Sequence, residues 1–286
     1  MKGSDSIGDG NWITDNLNSA LSLWNDKLSE IWELLTTAPE DFRGGSIFYA
    51  MLTINGALKS IAYGLLVLFF VAGVMKTTSS FTEMKRPEAV FKTFIRFALT
   101  KSAISYCNTL MNSLFLVIQG ILRTIMASSG ISLTGESVLP EEIAAAIEDV
   151  SLLESIPLWA VTLLGSLVIW ALSIIMILTV YGRFFKIFMV TALAPIPLAA
   201  FAGEPSSGIG KAFIKSYAGY CLEGAVILLA CVIYTNFAAT TPTIDATMAP
   251  ATIVWNYVGE LLFNMLILVS TVKLSSQLVR EFMGIG

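Results

Sequence analysis

Histidine is absent from this sequence, and only 13% of its 286 residues are charged. Without histidine, the chain lacks the commonest general base and the commonest metal ligand found in proteins. Soluble domains carry about 25% charged residues, which is well above the share found here. Because 55% of the residues are hydrophobic, the composition indicates an integral membrane protein rather than a soluble domain.

Cysteine is also scarce, and its positions do not suggest a metal or redox site. Cys107, Cys221 and Cys231 each lie inside an apolar run, where a cysteine behaves as a small buried hydrophobe. The sequence contains no Gly-rich phosphate loop, and no nucleophile has a histidine base. We therefore expect that this protein is not an enzyme and that it binds no cofactor and no metal ion.

Residues 1–44 are predicted to form a polar N-terminus followed by an amphipathic helix. Between Ile13 and Leu35, apolar residues recur at helical spacing, and mostly acidic residues occupy the opposite side. This helix is too polar to cross a membrane, so it either lies at the membrane interface or packs on a partner helix. Its acidic face favours the outer side of the membrane or a protein partner.

Residues 45–286 are predicted to form an all-α, polytopic membrane domain. A spanning helix needs about 20 apolar residues, and five stretches reach that length: residues 46–75, 97–126, 156–180, 212–238 and 251–279. The loop between the second and third stretches, residues 127–155, carries six carboxylates and no cation. Within this loop, Pro140 followed by EEIAAAIEDV predicts a short helix.

Residues 187–203 form a further apolar stretch, which is short and is broken by Pro195 and Pro197. Proline removes a backbone donor and clashes with the preceding helical turn. At membrane depth, such a break requires cover by protein or by a water-filled cavity. The stretch is therefore either a short, kinked sixth span or a re-entrant element that helps to shape a pathway.

The positions of lysine and arginine predict the orientation in the membrane, because these residues mark the cytoplasmic side. The connection 76–96 is basic, which places it inside and places the N-terminal helix and the acidic loop outside. If residues 187–203 crossed fully, four later cations would lie outside; they are Lys211, Lys215, Lys273 and Arg280. The charges therefore favour five spans plus one Pro-broken re-entrant stretch, with the N-terminus out and the C-terminus in.

Four charged residues lie within the predicted spans: Lys59, Glu223 and Glu260 near mid-span, and Lys101 nearer the cytoplasmic side. Such residues are costly in a bilayer and tend to face a bundle interior or a cavity. Lys59 is expected either to form a structural ion pair with Glu223 or Glu260, or to line a polar conduit. The candidate pathway or packing residues are thus Lys59, Lys101, Pro195, Pro197, Glu223 and Glu260.

Six further cations are expected near the cytoplasmic ends of the spans, and we call this set the basic rim. It consists of Lys92, Arg96, Arg183, Lys186, Lys211 and Lys215. The basic rim either reflects topology and contact with anionic lipid, or it forms a landing surface for a polyanion or an acidic partner.

Three stretches, taken in their order, carry a resemblance to a known family: KRPEAVFKTFIRFALTKSAI at 85–104, FKIFMVTALAPIPLAAFAG at 185–203 and GIGKAFIKSYAGYCLEGAVI at 208–227. They resemble the polytopic inner-membrane subunits of type IV secretion (conjugation) machines. This is the TrbL-type family, which includes the sixth VirB component, and the likeness is to versions from Gram-positive conjugative elements.

The resemblance implies a non-enzymatic channel subunit of the cytoplasmic membrane. Such a subunit would form a homo-oligomer and would also assemble with other secretion subunits, including separate ATPases. It would help to pass single-stranded DNA with its bound relaxase. Two alternatives remain at this stage. One is a structural membrane scaffold of such a complex, and the other is a secondary transporter of a small solute, which would show paired broken helices in two halves.

Overall fold

The computed structural model describes residues 9–78, 87–129, 137–148, 152–238 and 248–284. The helices are α1 (Asp9–Thr36), α2 (Ser46–Thr78), α3 (Pro87–Ser105), α4 (Cys107–Ser129), α5 (Glu141–Glu148), α6 (Leu152–Leu193), α7 (Pro195–Ala199), α8 (Ser207–Ala238) and α9 (Pro250–Phe282). Two short 3-10 turns, Phe42–Gly45 and Ala200–Ala202, precede α2 and follow α7. The predicted all-α fold is confirmed, and α5 confirms the short helix expected in the acidic loop.

Five helical segments in the described part of the chain are long and apolar enough to cross a membrane, judged by length and composition. They are Phe42–Lys76, Cys107–Ser129, Ile156–Leu193, Ser207–Ala238 and Pro250–Phe282. The predicted number of spans is therefore confirmed, and the chain is a multi-pass helical membrane protein. The first eight residues, part of the basic connection 76–96 and part of the acidic loop 127–155 lie outside the described residues.

The chain divides into two compact units, each assembled from segments that are distant in sequence. The first unit comprises Met1–Leu35, Met126–Val180 and Ile227–Leu274. The second unit comprises Thr36–Ile125, Tyr181–Val226 and Ser275–Gly286. The charged residues that were predicted as site residues on α6 and α8 all fall in the second unit; they are Arg183, Lys186, Lys211, Lys215 and Glu223.

In the first unit, α1 is an amphipathic helix that packs on other segments of its own chain. The Trp24 ring is fully buried and meets the Tyr234 ring edge-on, with 6.3 Å between centroids. The Asn25 side chain donates a hydrogen bond to the Ser137 carbonyl at 3.2 Å and accepts one from the Ser137 N–H at 3.1 Å. Of the two predicted placements, the structure has the helix packed against protein, and the contacts come from the same chain.

In the second unit, the end of α6 and the segment after it run alongside α2 in the same direction. Asn55 of α2 contacts Thr191 of α6, and further along, a Cβ built on Gly203 would lie 2.6 Å from the carbonyl oxygen of Phe69. The predicted break is present, because α6 ends at Leu193. The predicted re-entrant course is wrong, because the chain advances along α2 and turns back only after Gly203.

The second predicted span, residues 97–126, is also interrupted, at Tyr106 between α3 and α4. Residues 97–105 belong to α3, and α4 alone forms the apolar crossing segment. The rings of Phe70 and Phe97 lie 4.8 Å apart, and Lys59 contacts Ser105. Later residues of α2 therefore contact earlier residues of α3, so the two helices are antiparallel.

Candidate functional site

Polar side chains on one face of α2 satisfy the backbone where neighbouring helices break. In an unbroken helix, the N–H of residue 195 would donate to the carbonyl of Thr191, but Pro195 has no N–H. The Nδ2 atom of Asn55 donates to that carbonyl at 2.7 Å, and Asn55 is completely buried. The Ala194 N–H also donates to this carbonyl, but at 3.4 Å. Asn55 thus supplies the shorter hydrogen bond in place of the one that the proline cannot make, as a break at membrane depth requires.

Lys59, one turn further along α2, has the same role at the break between α3 and α4. Its ammonium group donates to the Ser105 carbonyl at 2.9 Å. The hydroxyl of Tyr63, another turn along, lies 2.8 Å from the Ser105 hydroxyl. Asn55 and Tyr63 were not predicted as site residues, although polar residues at positions i, i+4 and i+8 of an apolar span indicate one polar helix face.

Glu223 is paired with Lys186 rather than with Lys59. The Lys186 ammonium lies 3.1 and 3.3 Å from the two carboxylate oxygens of Glu223, so the pair links α6 to α8. The Glu223 side chain is only 2% exposed, whereas that of Lys186 is 39% exposed. The predicted ion pair between Lys59 and Glu223 is therefore wrong, and Glu260 is an exposed side chain of α9 in the first unit.

Arg183 was predicted on the basic rim, but the structure buries it almost completely, at 1% exposure. Its guanidinium carbon lies 5.5 Å from the centroid of the Phe184 ring. A Cβ added to Gly224 of α8 would lie 2.5 Å from this carbon, so the guanidinium rests directly on the glycine backbone. Within the described part of the chain, its Nε and Nη1 atoms have no hydrogen-bond partner.

A cleft of about 350 Å³ opens beside the Lys186–Glu223 pair in the second unit. It is lined by Lys186, Ser216, Gly219, Tyr220, Glu223, Ser276, Val279 and Arg280. We call it the charged cleft, because two cations, one carboxylate and three hydroxyl groups converge there. A cleft with this lining can hold water or an anionic group between helices whose other residues are mostly apolar. Among the described residues, no group of His, Cys, Asp or Glu side chains could hold a metal ion.

The other predicted site residues lie in a second cleft, on the surface or at the break after α6. Lys92, Arg96 and Lys211 line one cleft of about 420 Å³ in the second unit. Lys101 and Lys215 are exposed side chains on α3 and α8. At the break after α6, Pro195 is buried and Pro197 is half-buried. The structure therefore brings three rim cations together and separates the remaining three from them.

The comparisons with known proteins point to one family. Residues 24–195 match the sequence profile of a family described as TrbL/VirB6 plasmid conjugal transfer like protein. The match covers more than half of the 286 residues and includes α2 to α6. Arg183 and Lys186 lie inside the matched region, and Glu223 lies beyond it. No curated protein and no solved structure matches the chain.

Proposed function

This chain belongs to the TrbL/VirB6 family of plasmid conjugal transfer like proteins, and from that premise we propose that it is a membrane-channel subunit. Family membership makes the chain a component of a conjugal transfer, or type IV secretion, system. The proposed role is to contribute to the passage of single-stranded DNA, with its bound relaxase, across the cytoplasmic membrane.

The observation that carries the proposal is the charged cleft. Lys186 and Glu223 lie on two helices that are long and apolar enough to cross a membrane. Ionisable residues inside such helices tend to face a bundle interior or a water-filled cavity, and they mark substrate pathways. Pores for anions and phosphates are commonly lined by arginine and lysine, so Lys186 together with Arg280 suits a substrate with a phosphate backbone.

The course of the second unit supports an orientation in the membrane. Gly203 approaches the C-terminal half of α2, so the turn after Gly203 and the connection after α2 face the same side. Lys211 and Lys215 follow that turn, and residues 76–96 contain five cations. By the positive-inside rule we infer that this side is cytoplasmic. The proposed orientation has the N-terminal helix outside and the C-terminus inside the cytoplasmic membrane.

The proposed partners are further copies of this chain and other secretion subunits, including the ATPases that supply energy. The proposed role of the chain itself is non-enzymatic. A homo-oligomer would allow the charged clefts of several copies to face a shared conduit. Passage of DNA through that conduit would then depend on the side chains that remain solvated within the clefts.

A structural scaffold is the second candidate, and the helix contacts of the same residues favour it. The Lys186–Glu223 pair and the contact of Arg183 with Gly224 both join α6 to α8. Such contacts would hold two helices at a fixed register whether or not the cleft conducts anything. The family match favours both of these readings over transport of a small solute.

A pair of variants separates the channel from the scaffold. Lys186→Met alone leaves the Glu223 carboxylate buried without its cation, so the amount of protein in the membrane should fall. Adding Glu223→Gln removes the uncompensated charge, and the amount should recover. If the charged cleft lines the conduit, plasmid transfer by the double variant stays low although its abundance is normal.

Transfer at the wild-type frequency by the double variant would contradict the channel proposal and leave the scaffold. Lys215→Met is the matched control, because Lys215 is an exposed cation on α8 that does not line the charged cleft. Its transfer frequency and abundance should both remain at wild-type levels.

A further inference from the structure

Two clefts in the second unit adjoin each other, one of them basic and the other apolar. The first is the cleft that contains Lys92, Arg96 and Lys211. The second has a volume of about 640 Å³. Both clefts are lined by Ala103 of α3 and by Phe201, so they lie next to each other. We call the whole feature the lipid groove, for the reasons that follow.

The basic end of the lipid groove is suited to an anionic group. Three cations line it, and the carboxylates nearest to it in sequence, Glu88 and Glu204, do not. Lys92 and Lys211 are exposed, and Arg96 is half-buried, so their charged ends can reach a ligand while their stems cover apolar surface. An arginine among them allows a bidentate contact with a phosphate group.

The remainder of the lipid groove is suited to a hydrocarbon chain. Its lining includes Tyr106, Leu110, Leu114, Val117, Leu198 and Ile214 and contains no charged side chain. From Ala103 to Val117, the groove follows the helices over about 20 Å at 1.5 Å per residue. One leaflet of a bilayer has a hydrocarbon depth of about 15 Å, so a single acyl chain fits within this length.

We propose that the lipid groove binds an anionic phospholipid, with its phosphate at Lys92, Arg96 and Lys211 and one acyl chain along Leu110, Leu114 and Val117. The charge at one end and the continuous apolar lining together select this ligand over a free anion or a neutral lipid. Basic pockets between membrane helices on the cytoplasmic side bind anionic headgroups in this way. The inference does not depend on the channel proposal.

The test uses the full-length protein purified in a neutral detergent. Phosphatidylglycerol, phosphatidylcholine and inorganic phosphate are titrated separately, and bound lipid is measured by native mass spectrometry alongside the thermal unfolding midpoint. Phosphatidylglycerol should bind saturably and raise the midpoint, whereas the other two probes should have little effect. Each cation removed at the basic end should weaken phosphatidylglycerol binding about fivefold.

The variants that remove charge are Lys92→Gln, Arg96→Gln and Lys211→Gln, made singly and together. The matched controls are Lys101→Gln on α3 and Lys215→Gln on α8, which remove exposed cations that do not line the groove. Equal weakening by the controls would show a general effect of net charge and would overturn the proposal.

Two variants test the apolar part without changing any charge. Ala103→Trp fills the junction of the two clefts, and Ser113→Phe fills the groove further along α4. Each variant is first checked for a wild-type elution volume and midpoint in lipid-free detergent. A variant that passes this check should lose phosphatidylglycerol binding, and retained binding by both would overturn the proposal.

Three other outcomes would also overturn it. Binding of phosphatidylcholine as tight as that of phosphatidylglycerol would show that the cations do not select a headgroup. Binding of inorganic phosphate as tight as that of the lipid would show that the apolar groove contributes nothing. A thermal unfolding midpoint that rises with protein concentration and falls on dilution would instead assign the groove to a second copy of this chain.

Discussion

The guanidinium group of Arg183 rests on the backbone of Gly224, in a space that no side chain at position 224 could share. A Cβ added there would lie 2.5 Å from both Cζ and Nη1 of the arginine. Arg183 is almost fully buried and lies over the Phe184 ring, so it has little freedom to move away. Gly224 therefore allows α6 and α8 to approach each other with a buried charge between them.

Gly224→Ala should destabilise the protein by about 1–3 kcal/mol, because the added methyl group overpacks this contact. The measurement is unfolding in detergent together with abundance in the membrane. Gly208→Ala is the matched control on the same helix, because a Cβ at Gly208 meets nothing within 4 Å. Combining Gly224→Ala with Arg183→Met should recover part of the loss, and equal stability of Gly224→Ala and Gly208→Ala would contradict the contact.

Asn55→Leu should lower stability by about 1–2 kcal/mol, because the Thr191 carbonyl then keeps only the longer hydrogen bond from the Ala194 N–H, at 3.4 Å. In a Pro195→Ala background, the new N–H at residue 195 can donate to the same carbonyl. The loss caused by Asn55→Leu should therefore be smaller in that background, as measured by a double-mutant cycle.

Pro197→Ala serves as the control background for this cycle. In an unbroken helix its N–H would reach the carbonyl of Leu193 rather than that of Thr191. Asn55→Leu should therefore lower stability by the same amount in the Pro197→Ala background as it does alone. Equal rescue by both proline replacements would mean that Asn55 does not act through the Thr191 carbonyl.

Lys59→Met should lower stability by about 1–2 kcal/mol, since the Ser105 carbonyl at the α3–α4 break loses its donor. Lys101→Met should have little effect, because Lys101 is an exposed side chain of α3. Abundance in the membrane and unfolding in detergent measure both variants. Adding Glu223→Gln should not recover the stability lost in Lys59→Met, because Glu223 is paired with Lys186. Such a recovery would instead support the ion pair first predicted between Lys59 and Glu223.

The proposed orientation predicts that cysteines at Val138 and Glu204 are labelled from opposite sides of the membrane. Both side chains are exposed, and the three native cysteines are buried, so background labelling by an impermeant maleimide should be low. Val138→Cys should react in intact cells, and Glu204→Cys should react only after the cells are opened. Labelling of Glu204→Cys in intact cells would reverse the assignment of the turn after Gly203.

Several features of the fold were predictable because they depend on local properties of the chain. Five helices of sufficient length follow from long, mostly apolar runs, since hydropathy and helix length are both properties of a segment. The break near Pro195 follows from the missing N–H of proline. The break at Tyr106 was not predicted, because no proline or glycine lies at this position. The average hydropathy of residues 97–126 is also that of a single continuous span.

The sequence by itself therefore determined that this is a multi-pass helical membrane protein with an amphipathic helix before its first span, and that a few charges would lie within the spans. Only the tertiary structure decided the partners of those charges: a backbone carbonyl for Lys59, Glu223 for Lys186, and the face of Gly224 for Arg183. A buried polar group must find its partner on whichever helix faces it at the same depth. That choice depends on how the helices are rotated and displaced against one another, which no single segment of sequence specifies.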